Sequence, residues 1–455
     1  MHTRAQEQGG MAAAYQWEAK SIVQGHGLLL FDNLPDNDER LLTHAPGYAM
    51  FLALVYKLFG GSFFTVQLVQ NVLNSCSPVL IFLIASEVVA WRVGTVAGVL
   101  SAISHHLSYY SNVILPDSLC ALPLLGAIYI LASQRYALKR SIPAMILAGA
   151  LISISIWLRP NALLMGPFLA VLFPITSAFP RKAFRRVWVL AILPFLLIAP
   201  ITIRNYKQYG RFVLITSNTG IVLLEGIGDA RGNPFRVPTN DVEIASWEAD
   251  IYNNPEYAGM WWHPDLIERD RARIRMGLDI IFKHPFWYAK VVGLRMLGMF
   301  KFSAGAPLIL RPGDRVFADA AAEVAEQKNG NLIPSREDIE SDRRLPALGS
   351  SLSFFRRAAR LLQRVIKESE QAFLAAGFLL SLALSRRRTL FLSLIPLYYL
   401  ALQSLLHTEF RYTLPAHYFF LTFASIAWVL LGWVVWRIVF KAGGFLRQSR
   451  QAERT

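Results

Sequence analysis

Read by hydropathy, the chain divides into long apolar runs joined by short polar turns. Runs lie at about 64–87, 92–107, 117–133, 142–158, 161–179 and 187–203; a polar block, 204–370, follows, and then runs at about 371–385, 389–406 and 414–437. Each approaches the roughly 20 residues an α-helix needs to cross a hydrocarbon core about 30 Å thick, allowing for tilt. The pattern predicts an all-α polytopic membrane protein with about nine spans. Residues 46–60 are apolar but too short to cross, and only Gly61 and Ser62 separate them from the next run. They predict an interfacial or re-entrant helix. Residues 1–44 are mostly polar, with one apolar patch at Leu28 to Phe31, and carry neither a signal peptide nor a spanning segment.

Composition agrees with this pattern. Of 455 residues, 54% are hydrophobic and 17% charged, where a soluble domain carries about a quarter charged; the mean hydropathy is +0.36. The formal charge of +15 is placed as in a membrane protein, which argues against a nucleic-acid partner. Arg135, Lys139 and Arg140; Arg181, Lys182, Arg185 and Arg186; Arg386 to Arg388; and the tail from Arg437 to Arg454 all fall on one side under alternate crossing. That side is expected to be cytoplasmic, with the nearly uncharged short loops and the 204–370 block opposite. Residue 1 then lies outside with no run before it, so a further hydrophobic helix upstream of residue 1 is expected. Cys76 and Cys120 sit in apolar runs without metal-site spacing, so neither a disulfide framework nor a zinc site follows.

The predicted organisation is an outer loop with an interfacial helix (1–62), a six-span core (63–203), an extracytoplasmic domain (204–370), three C-terminal spans (371–440) and a basic tail (441–455). The outer block mixes Trp247, Trp261, Trp262 and His263 with Glu248 and Asp250, a composition that suits either sugar binding or contact with the membrane surface; the second is favoured. Within it, Ile274, Leu278, Ile281 and Phe282, then Tyr288, Val292, Arg295 and Met299, recur at helical spacing. Residues 311–345 read as loop, and Ser353 to Lys367 as a basic amphipathic helix on the bilayer.

Polar groups that are not ordinary loop filler gather on the predicted outer face. Asp117 stands at the mouth of an apolar run, either as the N-cap of a helix beginning near Pro116 or as an acid facing a polar cavity. His105 and His106 end the run before it. Arg159-Pro160-Asn161 makes a tight turn, Arg204-Asn205-Tyr206 ends another run, and His407 to Tyr412 fill the loop before the last. Any one arginine could simply snorkel to lipid headgroups. Three on outer helix ends suit paired donation to phosphate oxygens, so Arg204, Arg411 and Arg159 are candidates for binding a donor phosphate. Beside such a clamp, Asp117 is the candidate catalytic base for group transfer from a lipid phosphate, whose leaving phosphate needs charge neutralisation and no protonation; it could equally hold a metal or the acceptor.

At these residues the chain resembles the GT-C superfamily of integral membrane glycosyltransferases, in the branch of the dolichyl-phosphate-mannose-protein mannosyltransferase-like enzymes and the lipid A aminoarabinose transferases. The resemblance runs through Tyr15, Ala19 and Gly25, His44-Ala-Pro46-Gly47-Tyr48, Gln67 to Gln70, Asn112 to Asp117, Arg159-Pro160, Arg204-Asn205-Tyr206 with Gly210, Thr219-Gly220, His284-Pro285, Tyr288, Arg411-Tyr412 and Pro415. It implies a GT-C-like helical bundle lacking the first family helix. It also implies inverting transfer of a hexosyl or pentosyl group from a polyprenyl-phosphate carrier to a lipid, polysaccharide or protein acceptor, at the periplasmic face of a bacterial inner membrane. By the same resemblance Asp117 matches an acidic family position, Arg204 and Arg411 match basic positions lining the donor cavity, and His44 and Tyr48 match the loop that covers it. Tyr412 and His105 complete the substrate-binding candidates. A divalent metal is possible and no other cofactor is implied. Where the family carries a first-loop Asp, this chain has Met11, with Glu18, Asp32, Asp36, Asp38 and Glu39 nearby. That departure leaves open a catalytically impaired homologue acting as a subunit or scaffold; separately, Asp117 and the arginines could bind a moving substrate in a lipid or solute transporter, although no inverted repeat or broken midplane helix is visible.

Overall fold

The structure, a computed structural model, describes residues 9–27, 44–133, 141–176, 184–230, 233–258, 265–300, 361, 371–407 and 409–452. The expected loop at 311–345, all of the amphipathic helix at 353–367 but Leu361, Trp261, Trp262, His263, and the acids Asp32, Asp36, Asp38 and Glu39 lie outside the described residues.

The described residues form helices and no strand. They are α1 (Gly9–Val23), α2 (Pro46–Phe59), α3 (Phe63–Asn74), α4 (Cys76–Val88), α5 (Trp91–Ile103), α6 (His105–Asn112), the single turn α7 (Pro116–Leu119), α8 (Ala121–Ser133), α9 (Ile142–Leu158), α10 (Met165–Thr176), α11 (Phe184–Tyr209), α12 (Thr219–Gly228), α13 (Asp241–Tyr252), α14 (Leu266–Lys283), α15 (Pro285–Met299), α16 (Gln371–Leu384), α17 (Arg386–Ser404) and α18 (Leu414–Ala452). Helix starts follow local chemistry. Ser62 accepts from Thr65 N–H at 3.1 Å to open α3, and Ser141 from Ala144 N–H at 3.1 Å to open α9, where Pro143 tolerates the missing donor of a first turn.

All nine apolar runs are helical over most of their length. Four helical stretches are long and apolar enough to cross a bilayer: Phe63–Val88, Pro116–Ser133, Arg185–Tyr209 and Arg411–Ile438. Shorter apolar helices at 91–103, 142–158, 160–176 and 371–384 pack among them. The run expected to reach residue 107 stops at Ile103; Ser104 caps a new helix, accepting from Leu107 N–H at 3.5 Å.

One apolar core joins α4, α5, α8, α9, α10, α11, α17 and α18 through Ile81, Leu125, Ile152, Phe173, Leu190, Phe391 and Phe419, all 0% exposed. Such helices gain by tight packing rather than by leaving water, since lipid is as apolar as they are. Gly377 shows how tight: a Cβ there would strike the Phe423 carbonyl, so α16 lies directly on the backbone of α18. A second core gathers Tyr15, Tyr48, Leu52, Val66, the 113–115 segment and Leu158 from α1, α2, α3 and the end of α9. A third, of Ile221, Leu224, Ile227, Ile244 and Tyr288, builds the segment after α11.

Helix α14 differs from its apolar periodicity. Phe282 is 76% exposed and Leu278 40%, while Arg269, Asp270 and Arg273 are buried. The cause is Glu248 of α13. It takes Arg269 Nε at 2.8 Å on one oxygen and Arg273 Nε at 2.6 Å on the other, and a buried carboxylate needs such partners. Glu248 is therefore a structural anchor, not an acid waiting beside Trp247.

Candidate functional site

Segment 111–118 is held by a polar stripe on α3. Gln67, Gln70, Asn71 and Asn74 recur at one-turn spacing, so they share a face. Gln67 donates to Asn112 O at 2.7 Å, Gln70 to Ser111 O at 3.0 Å and Val113 O at 2.7 Å, Asn71 to Asn112 Oδ1 at 2.9 Å and Asn74 to Ser118 Oγ at 3.0 Å. Tyr48 in turn donates its hydroxyl to Gln70 Oε1 at 2.7 Å. The last carbonyls of α6 and the turn that follows it have no partner within a helix, and this stripe bonds those of Ser111, Asn112 and Val113.

The loop delivers Asp117, but not as a cap. Leu115 occupies the N-cap position of α7, and Asp117 lies in the first turn with its side chain turned to Arg159. Asp117 Oδ1 and Arg159 Nη1 are 2.5 Å apart, with Asp117 1% exposed. Arg159 is placed by the end of α9, where its N–H still bonds Ser155 O at 2.8 Å and its backbone turns extended at φ −154°. Its Nε donates to Asn161 Oδ1 at 3.1 Å, and Tyr398 of α17 pins the same turn by donating to Asn161 O at 2.7 Å. Burial works against the Arg159 charge, yet Asp117 and Tyr412 beside it hold the guanidinium above its ordinary pKa.

The loop between α17 and α18 closes the group. Tyr412 lays its ring 4.3 Å from the Arg159 guanidinium carbon, a cation–π contact, and donates its hydroxyl to Glu409 at 2.9 Å. Arg411 pairs with Glu409 at 2.6 Å. The fields acting on Asp117 come from Arg159 and Arg411, with Glu409 opposing. From the other side, Tyr15 of α1 packs edge-on against His44 and Tyr48, with ring centres 4.9 and 5.1 Å away. Burial raises the Tyr15 phenol far above its usual range, and Arg159, Glu18, Asp117 and Arg411 all act on it.

The structure thus brings Asp117, Arg159, Arg411 and Tyr412 together, with Tyr15 and His44 beside them. Arg204 stands apart. Its described contacts are Asn205 Oδ1 at 3.2 Å and the Tyr209 ring, all on its own helix, so the expected triple-arginine clamp is reduced to two. Tyr48 is 0% exposed and its hydroxyl is engaged by Gln70, so it supports the 111–118 loop instead of presenting a surface to substrate. His105 begins α6, and its side chain lies outside the described residues; the ring that faces the bundle is His106, 5.3 Å from His417 and 5.1 Å from Tyr110.

Glu18 and Glu409 acquire a place that spacing alone did not single out. Glu18, 1% exposed on α1, lies one turn after Tyr15 and seven residues after Met11. The signal was present in the helical spacing of 11, 15 and 18, but it becomes readable only once α1 is known to be a helix. Among the described residues no three His, Cys, Asp or Glu side chains gather to hold a metal. A divalent cation takes several oxygens, whereas Asp117 offers one carboxylate already facing two guanidinium groups. The described donor set does not fit a metal at Asp117.

A family profile described as dolichyl-phosphate-mannose-protein mannosyltransferase matches residues 43–203, less than half the chain but including Tyr48, Gln70, Asp117 and Arg159. Comparison with curated proteins finds no significant match. Among solved structures, the oligosaccharyltransferase of Archaeoglobus fulgidus in complex with zinc and sulfate shares 12% identity at a TM-score of 0.49, covering 94% of this chain and 46% of its own. ArnT from Cupriavidus metallidurans bound to undecaprenyl phosphate shares 13% identity at a TM-score of 0.37, covering 92% and 72%. The chain spans a little under half the length of the archaeal enzyme.

Proposed function

We propose that this chain, whose residues 43–203 match the dolichyl-phosphate-mannose-protein mannosyltransferase profile, is a GT-C-type membrane glycosyltransferase that transfers a sugar from a polyprenyl-phosphate carrier to an acceptor hydroxyl at the outer face of the membrane. The observation that carries this reading is the buried Asp117–Arg159 pair with Arg411 and Tyr412 against it. Two guanidinium groups held by neighbouring carboxylates are ready to receive phosphate oxygens, and Arg presents paired donors for that purpose.

In the proposed step the acceptor oxygen attacks the anomeric carbon as the bond from that carbon to the phosphate oxygen breaks. The bonding pair leaves with the phosphate, and the configuration at carbon inverts. Arg159 and Arg411 receive the growing charge on the phosphate. As the phosphate draws Arg159 toward itself, the Asp117 carboxylate is released to accept the acceptor proton. Glu18 is the described acid nearest in sequence to the Met11 position, and its burial beside Tyr15 makes it the candidate second carboxylate. The carrier lipid, the hexosyl or pentosyl character of the sugar, a periplasmic site and a bacterial inner membrane are parts of the same proposal.

Met11, at the position of the family's first-loop Asp, favours a second reading in which the protein binds the donor without transferring from it. Purified protein in liposomes with a radiolabelled polyprenyl-phosphate sugar and a hydroxyl acceptor pool separates the two. Transfer lost in Asp117→Asn supports catalysis; donor binding with no transfer in the unaltered protein would refute it.

A further inference from the structure

Helix α17 ends in carbonyls that a helix cannot satisfy by itself. Leu402 O and Gln403 O still bond the amides of Leu405 and Leu406, at 3.3 and 3.2 Å, and Ser404 O and Leu405 O follow the last of these. Their donors come from α15. Arg295 Nη1 donates to Ser404 O at 3.4 Å, and the Tyr288 hydroxyl donates to Leu405 O. The α12 side holds His407 twice, its amide donating to Val222 O at 3.1 Å and its ring meeting Asp229 Oδ2 at 2.9 Å. This contact is close: a Cβ on Gly226 would strike the His407 nitrogen and the Leu406 carbonyl carbon.

Arg295 is the centre of this clamp. Its side chain, 11% exposed, donates to Ser404 O on α17, to Gly226 O on α12 and to Asp229 Oδ1 at 2.6 Å, while the other oxygen of Asp229 takes the His407 ring. A planar guanidinium with donors on both arms can tie α17 to α12 in one fixed geometry, as a single ammonium cannot. The strap so held, 404–407, leads directly into the site. Glu409 follows two residues after His407, and its carboxylate takes Arg411 at 2.6 Å and the Tyr412 hydroxyl at 2.9 Å, with the Tyr412 ring on Arg159. Phe410–Thr413 is one 3₁₀ turn, in which Tyr412 N–H bonds Glu409 O at 3.0 Å and Leu414 N–H bonds Arg411 O. So short a connector takes its position from the segments on either side of it.

We propose that Arg295 and Tyr288 are positioning residues for donor binding: by fixing 404–407 from the outer helices, they set where Arg411 stands to receive the carrier phosphate. The inference rests on the donor role proposed for Arg411. It makes the segment after α11 a working part of the site, although neither residue touches a reacting atom.

A double-mutant cycle on the full chain tests this, read by binding of a sugar-free polyprenyl monophosphate in mixed micelles and by hydrogen exchange of the peptide 409–414. Arg295→Gln is expected to weaken monophosphate binding roughly tenfold, and in an Arg411→Ala background the same change should cost less than about twofold, as coupled positions require. Protection of 409–414 should fall in Arg295→Gln while that of α8 stays unchanged. Where Arg295→Gln fails to fold, Tyr288→Phe, which removes one hydroxyl and keeps the ring against Ile221 and Ile244, runs the same cycle with an expected loss of about threefold. A merely structural role gives equal losses in both backgrounds. That additivity, or binding or 409–414 protection unchanged in both variants, overturns the proposal. Lowered protection together with intact monophosphate binding in Arg411→Ala keeps the clamp on the turn and overturns the donor role of Arg411 instead.

Discussion

Asp117 Oδ1 and Arg159 Nη1 meet at 2.5 Å in a site where the carboxylate is 1% and the guanidinium side chain 13% exposed. Neither partner tolerates removal of the other alone, because the one left behind is a buried, uncompensated charge. Arg159→Ala is expected to cost about 3–5 kcal/mol in stability, with Asp117→Asn in the same chain restoring part of it. Thermal unfolding in detergent across the four-member cycle checks this; additive losses would show that the pair is not coupled. In transfer assays Asp117→Asn alone should slow turnover by roughly 10²–10⁴.

The loop carrying Asp117 is fixed by α3, so Gln70→Leu should reduce transfer at least tenfold although it touches neither Asp117 nor Arg159. It removes two donors to the 111–113 carbonyls and the acceptor of Tyr48. Tyr48→Phe removes one hydrogen bond and should cost about 1 kcal/mol, with transfer largely kept. Equal losses in the two variants would contradict the role assigned to Gln70.

Gly47 lies where α2 meets the end of α9. A Cβ there would strike the Trp157 carbonyl, two residues before Arg159, and backbone cannot yield as a side-chain tip does. Gly47→Ala should therefore push α2 off α9 and displace Arg159, lowering stability by a few kcal/mol, on the order of an overpacked core site. Unchanged melting and activity in Gly47→Ala would show that the two helices are not in this contact.

Helix α12 meets the 405–409 loop through acids and a histidine. Asp229 takes Arg295 at 2.6 Å and the His407 ring at 2.9 Å. Burial, with Asp241, Glu409 and Asp229 nearby, raises Glu225 from 4.5 to about 7, His407 opposing. Burial opposes the His407 charge, but its bond to Asp229 and the Glu225 field carry its pKa above 6.5. Both folded pKa values exceed the unfolded ones, so the folded chain binds more protons and stability falls as pH rises. The Glu225 contribution is complete below about pH 4.5 and lost through about pH 7, and the His407 contribution is lost above 6.5. Hydrogen-exchange protection of 405–407, taken relative to the intrinsic rate at each pH, should fall between pH 5 and 8, and Glu225→Gln should flatten the fall; protection that rises with pH would reverse the sign.

Glu248 tests the segment after α11 separately from the site. Glu248→Ala strands Arg269 and Arg273, which are 2% and 1% exposed, and should cost about 3–5 kcal/mol. Limited proteolysis of residues 241–283 reads this directly, and resistance equal to that of the unaltered chain would count against the buried triad.

What the sequence determined alone was the helical content and the rough address of the site. Apolar runs of near-spanning length have one satisfactory backbone solution in lipid, so the runs from 64 to 437 are helices, and local patterning suffices to say so. Asp117, Arg159 and Arg411 could be named because a charge amid apolar residues is conspicuous in one dimension. Which charges meet is fixed only once the helices have packed. Arg204 matches the same description as Arg159 and Arg411, yet its contacts lie on its own helix, while Glu409 and Tyr15 come from segments distant in sequence to flank the pair, with Glu18 acting on Tyr15. The helical periodicity of α14 was legible, but not which face it buries, since that face is chosen by Glu248 on another helix. Backbone hydrogen bonding is local and is written in periodicity; the pairing of buried charges is a property of distances between segments, which exist only after the helices have packed.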